Sequence, residues 1–185
     1  KDLPSLDNFD PAYISASSNQ QSERAQNVFA IAGLVFKDRY IIDGLFRRDG
    51  SSLFGAENRW NNYYRISAAY RISEDISIPG IQELKINAAK GTSGQRPGFD
   101  WQYEQTNLSG GTLSSVRRKG NPFLKPSLTT ETEIGLNSSF LNMFNLSLAY
   151  SNQVVSEQFM IVNLFSPANA GKSTQWQNVG DLESD

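Results

Sequence analysis

From Asn62 to Ser73 the chain reads Asn-Tyr-Tyr-Arg-Ile-Ser-Ala-Ala-Tyr-Arg-Ile-Ser. Side chains alternate faces along a strand. Tyr64, Ile66, Ala68, Tyr70 and Ile72 therefore form one apolar face, and Tyr63, Arg65, Ser67, Ala69, Arg71 and Ser73 a mostly polar one. Helical winding would scatter both sets over every side, so the stretch is a strand. Two architectures accept it. In a soluble sheet the apolar face packs on a second layer. In an outer-membrane barrel it meets lipid, and the polar face lines a wet lumen. The pattern holds for 12 residues, closer to the about 9–11 of a tilted membrane strand than to the about 5–6 of a globular one.

The rest of the chain narrows the choice. It has 185 residues and a net charge of −2, with neither cysteine nor histidine. No disulfide framework is available, the commonest metal ligands and general bases are missing, and no basic excess points to nucleic acid. We expect no enzyme, no metal and no cofactor. No apolar run reaches the ~18 residues of a membrane helix. The chain opens on Lys1 with no signal peptide, as a processed chain or a fragment would. A hydrophobic content of 38% suits a barrel, which needs apolar residues on only one side of each strand.

Residues 1–25 carry scattered Pro, Asp, Asn and Ser and read as a lead-in loop. Residues 26–185 read as strands of one domain. Gln26–Lys37 is apolar on both faces, and a two-residue turn at Asp38-Arg39 returns it as an antiparallel strand from Tyr40. Alternation recurs in Gln82–Gly91, with Leu84, Ile86 and Ala88 opposite Lys85 and Asn87. It recurs in Leu128–Phe140, with Ile134, Leu136 and Phe140 against Glu131, Glu133 and Asn137. The next strand, from Phe144, sets Leu146, Leu148 and Tyr150 against Asn145, Ser147 and Ser151, and its pattern extends through Met160-Ile161-Val162. Trp176–Leu182 begins a seventh strand. The connections alternate too: short turns at 38–39, 74–80 and 141–143, long loops at 49–60, 92–127 and 163–175. Outer-membrane barrels show that asymmetry, and Tyr40, Tyr64, Phe140 and Phe144 near strand ends fit an interfacial girdle. The fold expected is all-β, an antiparallel transmembrane barrel wall; a soluble β-sandwich for binding or adhesion is the alternative.

Several phrases resemble one family. Tyr40 to Gly55 (YIIDGLFRRDGSSLFG) is similar to the R-x-D-G-S-S-x-F-G segment of SusC/RagA-like TonB-dependent transporters. Asn58-Arg59-Trp60 followed by Ser67 to Glu74 (SAAYRISE) resembles its N-R-W … S-A-A-W-R-I-S-E, with Tyr70 for the usual Trp. Leu84-Lys85-Ile86 with Gly91 to Gln95, Thr129 to Leu136 (with Glu133 for the usual Asn), and Asn178 to Glu183 match further segments in order over residues 26–183. The resemblance implies that these seven strands are part of a barrel of roughly 22 with a plugged lumen. It implies an outer-membrane importer of oligosaccharides or peptides, partnered by a SusD-like surface lipoprotein and energised by TonB through a part of the protein outside this chain. A siderophore-type receptor without a lipoprotein lid is the alternative within the same barrel class.

Trp101 and Tyr103 in the longest loop are the candidate substrate-binding residues, since aromatic rings stack on sugars or pack on apolar groups. Packing that pins the loop is the competing role. Ser166 to Ser173 (SPANAGKS) falls one residue short of a phosphate-binding loop and lacks a helical pattern after it, so an extracellular loop is expected. Glu131 and Glu133, two apart on one strand face, read as carboxylates on a wet wall rather than an acid–base pair. Val116-Arg117-Arg118-Lys119 reads as a solvated loop.

Overall fold

The computed structural model describes residues 20–104, 108–109, 112–113 and 118–184; most of the expected lead-in, and much of the longest loop, lie outside them. Chain reversals at short turns build the sheet. Strands β1 (Ala25–Phe36) and β2 (Tyr40–Ser51) pair from Phe36↔Tyr40 to Ala25↔Ser51. Their turn is centred on Lys37 and Asp38, both in the left-handed region, one residue earlier than the sequence pattern places it; Arg39 is left as an extra residue whose N–H donates to Phe36 O at 3.3 Å. β3 (Trp60–Arg71) pairs with β2, and β4 (Ile81–Gln95) with β3. Two-residue strands β5 (Leu108–Ser109), β6 (Thr112–Leu113) and β7 (Arg118–Lys119) lie in the following loop. β8 (Ser127–Phe140) and β9 (Phe144–Ser156) form a second long hairpin, turning through left-handed Leu141 and Asn142. β10 (Phe159–Asn163), β11 (Thr174–Asn178) and β12 (Leu182–Ser184) complete the chain. The main sheet runs β1-β2-β3-β4-β8-β9-β12, antiparallel throughout.

Two expectations need correction. β9 does not run on through Met160-Ile161-Val162: left-handed Glu157 breaks it, and those residues form β10. Nor is Trp176–Leu182 one strand. Thr174–Asn178 pairs with β10, Gly180 turns left-handed, and only Leu182–Ser184 returns to β9 as the seventh strand. β10, β11 and β7 make a separate three-stranded sheet beyond the loop end of the wall.

Register fixes the faces. Tyr40↔Tyr70↔Ile86↔Leu136↔Leu148 form one row, and every second residue from it points the same way. On that side Leu34, Ile42, Phe46, Ile66, Ile134, Leu148 and Tyr150 are exposed, most of them by about half or more of their surface. The buried apolar residues among those described are Leu53, Phe54, Tyr63 and Leu124, and all of them lie toward the long-loop end. No second layer covers the apolar face among the described residues, an arrangement that suits a lipid-facing barrel wall rather than the β-sandwich alternative.

The strands' tilt follows from the same register. In β2 and β3 the outward apolar strip runs from Tyr40 and Tyr70 to Phe46 and Tyr64, six residues along. In β8 and β9 it runs from Phe140 and Phe144 to Ile134 and Tyr150, again six residues, but displaced by four residues toward the short turns. Four residues are about 14 Å of strand, and the two strand pairs lie three spacings, about 14 Å, apart. A strip parallel to the bilayer therefore requires strands tilted by about 40°, within the about 35–45° of membrane barrels. Aromatic stacks mark its lower edge: Tyr40 on Tyr70 at 5.1 Å, Phe36 near Tyr40 at 6.4 Å, and Phe140 on Phe144 at 5.5 Å.

Candidate functional site

Two regions offer chemistry to a ligand: the inward wall and the loop-end platform. The inward wall carries the residues that alternate with the lipid-facing set. Four cations, Arg47, Arg65, Arg71 and Lys85, and five carboxylates, Asp43, Asp49, Glu83, Glu131 and Glu133, face this side, for a net charge of −1. Hydrogen bonds and ion pairs hold several of them, Arg71 Nε standing 4.0 Å from Glu83 across the β3–β4 pair. Asp43 accepts from Arg65 Nη2 at 2.5 Å and from the Ser67 hydroxyl, and Glu131 accepts from Ser151 Oγ at 3.1 Å. Amides extend the network: Asn137 donates to Asn87 Oδ1 at 3.1 Å and accepts from Ser147 Oγ at 2.9 Å. Gly135 makes room for it, because a Cβ there would sit 2.7 Å from Asn87 Oδ1. Asp43, Arg65, Lys85, Glu131 and Glu133 line a shallow cavity of about 580 Å³. Such a surface offers many weak polar contacts to a hydrated solute and no single tight grip. Glu131 and Glu133 stand on this wall, as expected.

The rim above the wall is set by the Asp49-to-Gly55 segment. Asp49, Ser51, Leu53 and Phe54 are buried. Ser51 Oγ accepts from Leu53 N–H at 3.2 Å, Ser52 Oγ accepts from Arg24 N–H at 2.9 Å, and Gln102 donates to Ser52 O at 2.9 Å. A Cβ on Gly55 would meet Pro122 O at 1.9 Å, so the segment carrying Leu124 lies directly on this corner. Asn58 donates across to Phe123 O at 2.9 Å.

The platform is the β10-β11-β7 sheet. Trp101 stacks on Trp176 with ring centres 3.7 Å apart and planes 11° apart, and Phe159 meets Trp101 edge-on at 5.2 Å. Arg118 lies over Trp176 at 5.8 Å, and Lys119 Nζ donates to Asn169 Oδ1 at 3.1 Å. Arg118 and Lys119 are thus a half-buried strand, not a solvated loop; parallel pairing with Thr174 and Gln175 holds them. Asn178 fixes the platform's base: its amide donates to Lys125 O at 2.9 Å and Glu157 O at 2.8 Å, and its oxygen accepts from Lys125 N–H at 2.9 Å.

Of the two aromatic candidates, Trp101 is held inside this stack, while Tyr103 projects with 56% of its surface exposed. Sequence reading missed Trp176 as the partner of Trp101, and Arg118 as the cation over Trp176. Trp176 was legible only as a strand residue, and no local pattern links it to a position 75 residues earlier. The Ser166 to Ser173 segment forms a short 3-10 turn over Ser166–Asn169 ended by left-handed Ala170, and Lys172 pairs with Glu104. It has none of the helix that a phosphate loop requires.

Comparison with known proteins agrees with this geometry. The sequence matches the family described as TonB dependent receptor-like, beta-barrel, over residues 1–184. It is 29% identical over 191 aligned residues to TonB-dependent receptor P26 of Formosa agariphila, covering 97% of this chain and 19% of that protein. It is also 29% identical, over 57% of this chain and 12% of the relative, to TonB-dependent receptor SusC of Bacteroides thetaiotaomicron. The chain thus spans about a fifth or less of the curated relatives it matches. Among solved structures, the RagAB peptide importer in its open-open state superposes with a TM-score of 0.78 at 18% identity, covering 97% of this chain and 21% of that one. At that identity the likeness concerns the fold. An open seven-stranded wall, apolar outside and polar inside, with this family match, places the chain: it belongs to the TonB-dependent receptor β-barrel family and forms part of the barrel.

Proposed function

We propose that this chain is a stretch of the transmembrane wall of an outer-membrane importer for oligosaccharides or peptides, working with a SusD-like surface lipoprotein over its mouth. The outward apolar strip, about 20 Å tall and bounded by aromatic rings, is the observation that carries the reading. The ordered motifs that resemble the SusC/RagA-like branch support the partner, and the likeness to a peptide importer supports the substrate class. Transport here needs no bond chemistry from the chain: the wall offers a hydrated polar surface, the loops face the captured solute, and TonB supplies energy through another part of the protein. Tyr103, exposed at the loop end, is the solute contact, and Trp101, held in its stack on Trp176, is a support of the loop.

The test is purification of the complete receptor from native outer membranes in mild detergent. A large surface lipoprotein should co-purify, and Tyr103→Ala should lower uptake several-fold at unchanged receptor level. A receptor that purifies alone and imports without any lipoprotein would return the siderophore-type reading.

A further inference from the structure

The six long strands β1–β4, β8 and β9 hold eleven charged residues, nine of them facing inward. The two that face outward are Arg48, in register with Asn62, and Lys90, in register with Ile66. Both are cations and both are exposed. Neither makes an ion pair among the described residues. Lys90 looks misplaced beside Ile66, until the strand tilt is applied. One strand further along the wall, a tilt of about 40° lifts it by about 3 Å, which brings it to the level of Tyr64 and Tyr150 at the upper edge of the apolar strip. Arg48 stands at the same edge, about 16 Å away along it by the same strand spacings.

Arg48 is also held in place. Its guanidinium lies over the Trp60 ring at 5.5 Å. That ring lies flat across β2 because position 50 is glycine; a Cβ there would sit 2.8 Å from it. Between the two cations stands the exposed Tyr64 ring; on the loop side of it the outward surface is polar, with Asn62 and Thr92, and Thr92 Oγ1 accepts from Tyr64 N–H at 3.0 Å. No carboxylate faces outward from these six strands.

We propose that Arg48 and Lys90 form an anion-binding edge for the phosphate-bearing headgroups of outer-leaflet lipid. The proposal rests on the membrane-wall reading above. The chemistry is charge complementarity at an interface: cations there attract anionic headgroups, and a guanidinium pinned by an aromatic ring presents its remaining N–H groups without loss of rotamer freedom. Sign and level both point to the same occupant; the sheet's outward carboxylate, Glu183 on β12, lies in the row of Thr92 three strands away and accepts from Asn152 Nδ2 at 3.2 Å.

The test uses the complete receptor, purified in dodecyl maltoside, with lipid A as the probe and phosphatidylcholine and inorganic phosphate as controls. Bound lipid is counted by native mass spectrometry. The wild type should retain lipid A over phosphatidylcholine, phosphate should not compete at equal concentration, and R48Q/K90Q should weaken lipid A retention by about fivefold per cation. R48K/K90R should keep most of it. Equal lipid A retention by wild type and R48Q/K90Q, or equal retention of the zwitterionic lipid by the wild type, overturns the proposal. If R48Q/K90Q fails to assemble, as judged by heat-dependent gel mobility, the wild type decides alone: its lipid A preference must fall as ionic strength rises, and a salt-independent preference overturns the proposal. A receptor that stays soluble without detergent would instead overturn the membrane-wall reading beneath it.

Discussion

Arginine placed at three positions separates the facing of the wall from its tilt. Leu136 shares a register row with Tyr40, which is the lower edge of the apolar strip in β2. On an untilted sheet Leu136→Arg would sit at an interface and cost little. With strands tilted by about 40°, three spacings lift Leu136 by about 10 Å, to the middle of a strip about 20 Å tall. The same geometry places Ile66 about 13 Å above that edge, nearer the extracellular side. A midplane arginine on the lipid face costs about 2–4 kcal/mol, falling to about 0–1 at the interfaces. Leu136→Arg should therefore lose about 2–4 kcal/mol and Ile66→Arg about 1–3 kcal/mol. Ser67→Arg, on the inward face beside the Asp43–Arg65 pair, should stay within about 1 kcal/mol of wild type, because water solvates the added charge. The assay is guanidinium unfolding of the complete receptor refolded into lipid vesicles, with heat-dependent gel mobility reporting the folded fraction. If Ser67→Arg costs as much as Leu136→Arg, the facing is wrong. If Ile66→Arg costs more than Leu136→Arg, the facing survives and the tilt fails.

Other positions test the rim and the platform. Gly55→Ala drives a methyl into Pro122 O, so it should lever the Asn121–Leu124 segment off the rim at a cost of about 2–3 kcal/mol; limited proteolysis of the loops in an intact barrel would show it, and an unchanged cleavage pattern would contradict the contact. Trp176→Ala removes both the Trp101 stack and the Arg118 contact, and hydrogen exchange in β10 and β11 should rise by about 3 kcal/mol of lost protection while β2 and β3 are unaffected. A double-mutant cycle over Asp43→Ala and Arg65→Ala should return a coupling below about 1 kcal/mol, since the Arg65 side chain is 60% exposed on a wet wall; a larger value would mean that this part of the lumen excludes water.

What the sequence disclosed and what it withheld divide along a physical line. Where a strand has lipid on one side and water on the other, its side chains must alternate, and β3, β4, β8 and the first part of β9 were legible for that reason. Above the bilayer both sides are wet or loop-covered and the requirement lapses. There the strands depart from the pattern: β2 continues to Ser51 through buried Asp49 and β4 to Gln95, beyond it, while β9 stops at Ser156, short of it. The platform was illegible because its pairs are distant in sequence. Arg118 pairs with Thr174 in parallel, a contact with no local signature, and the reassignment of Trp176 away from the main sheet turns on backbone reversals at Glu157 and Gly180. Glutamate at 157 gives no sign that its φ is positive, whereas Gly180 does, since glycine is the residue that adopts that region freely. Lys90 shows the remaining gap most clearly. Period two puts a cation among lipid-facing residues, which reads as an error in the pattern when strands are considered singly. Only the relative displacement of neighbouring strands, a property of the assembled sheet, carries it to the interface, where a lysine is the residue that physical chemistry favours.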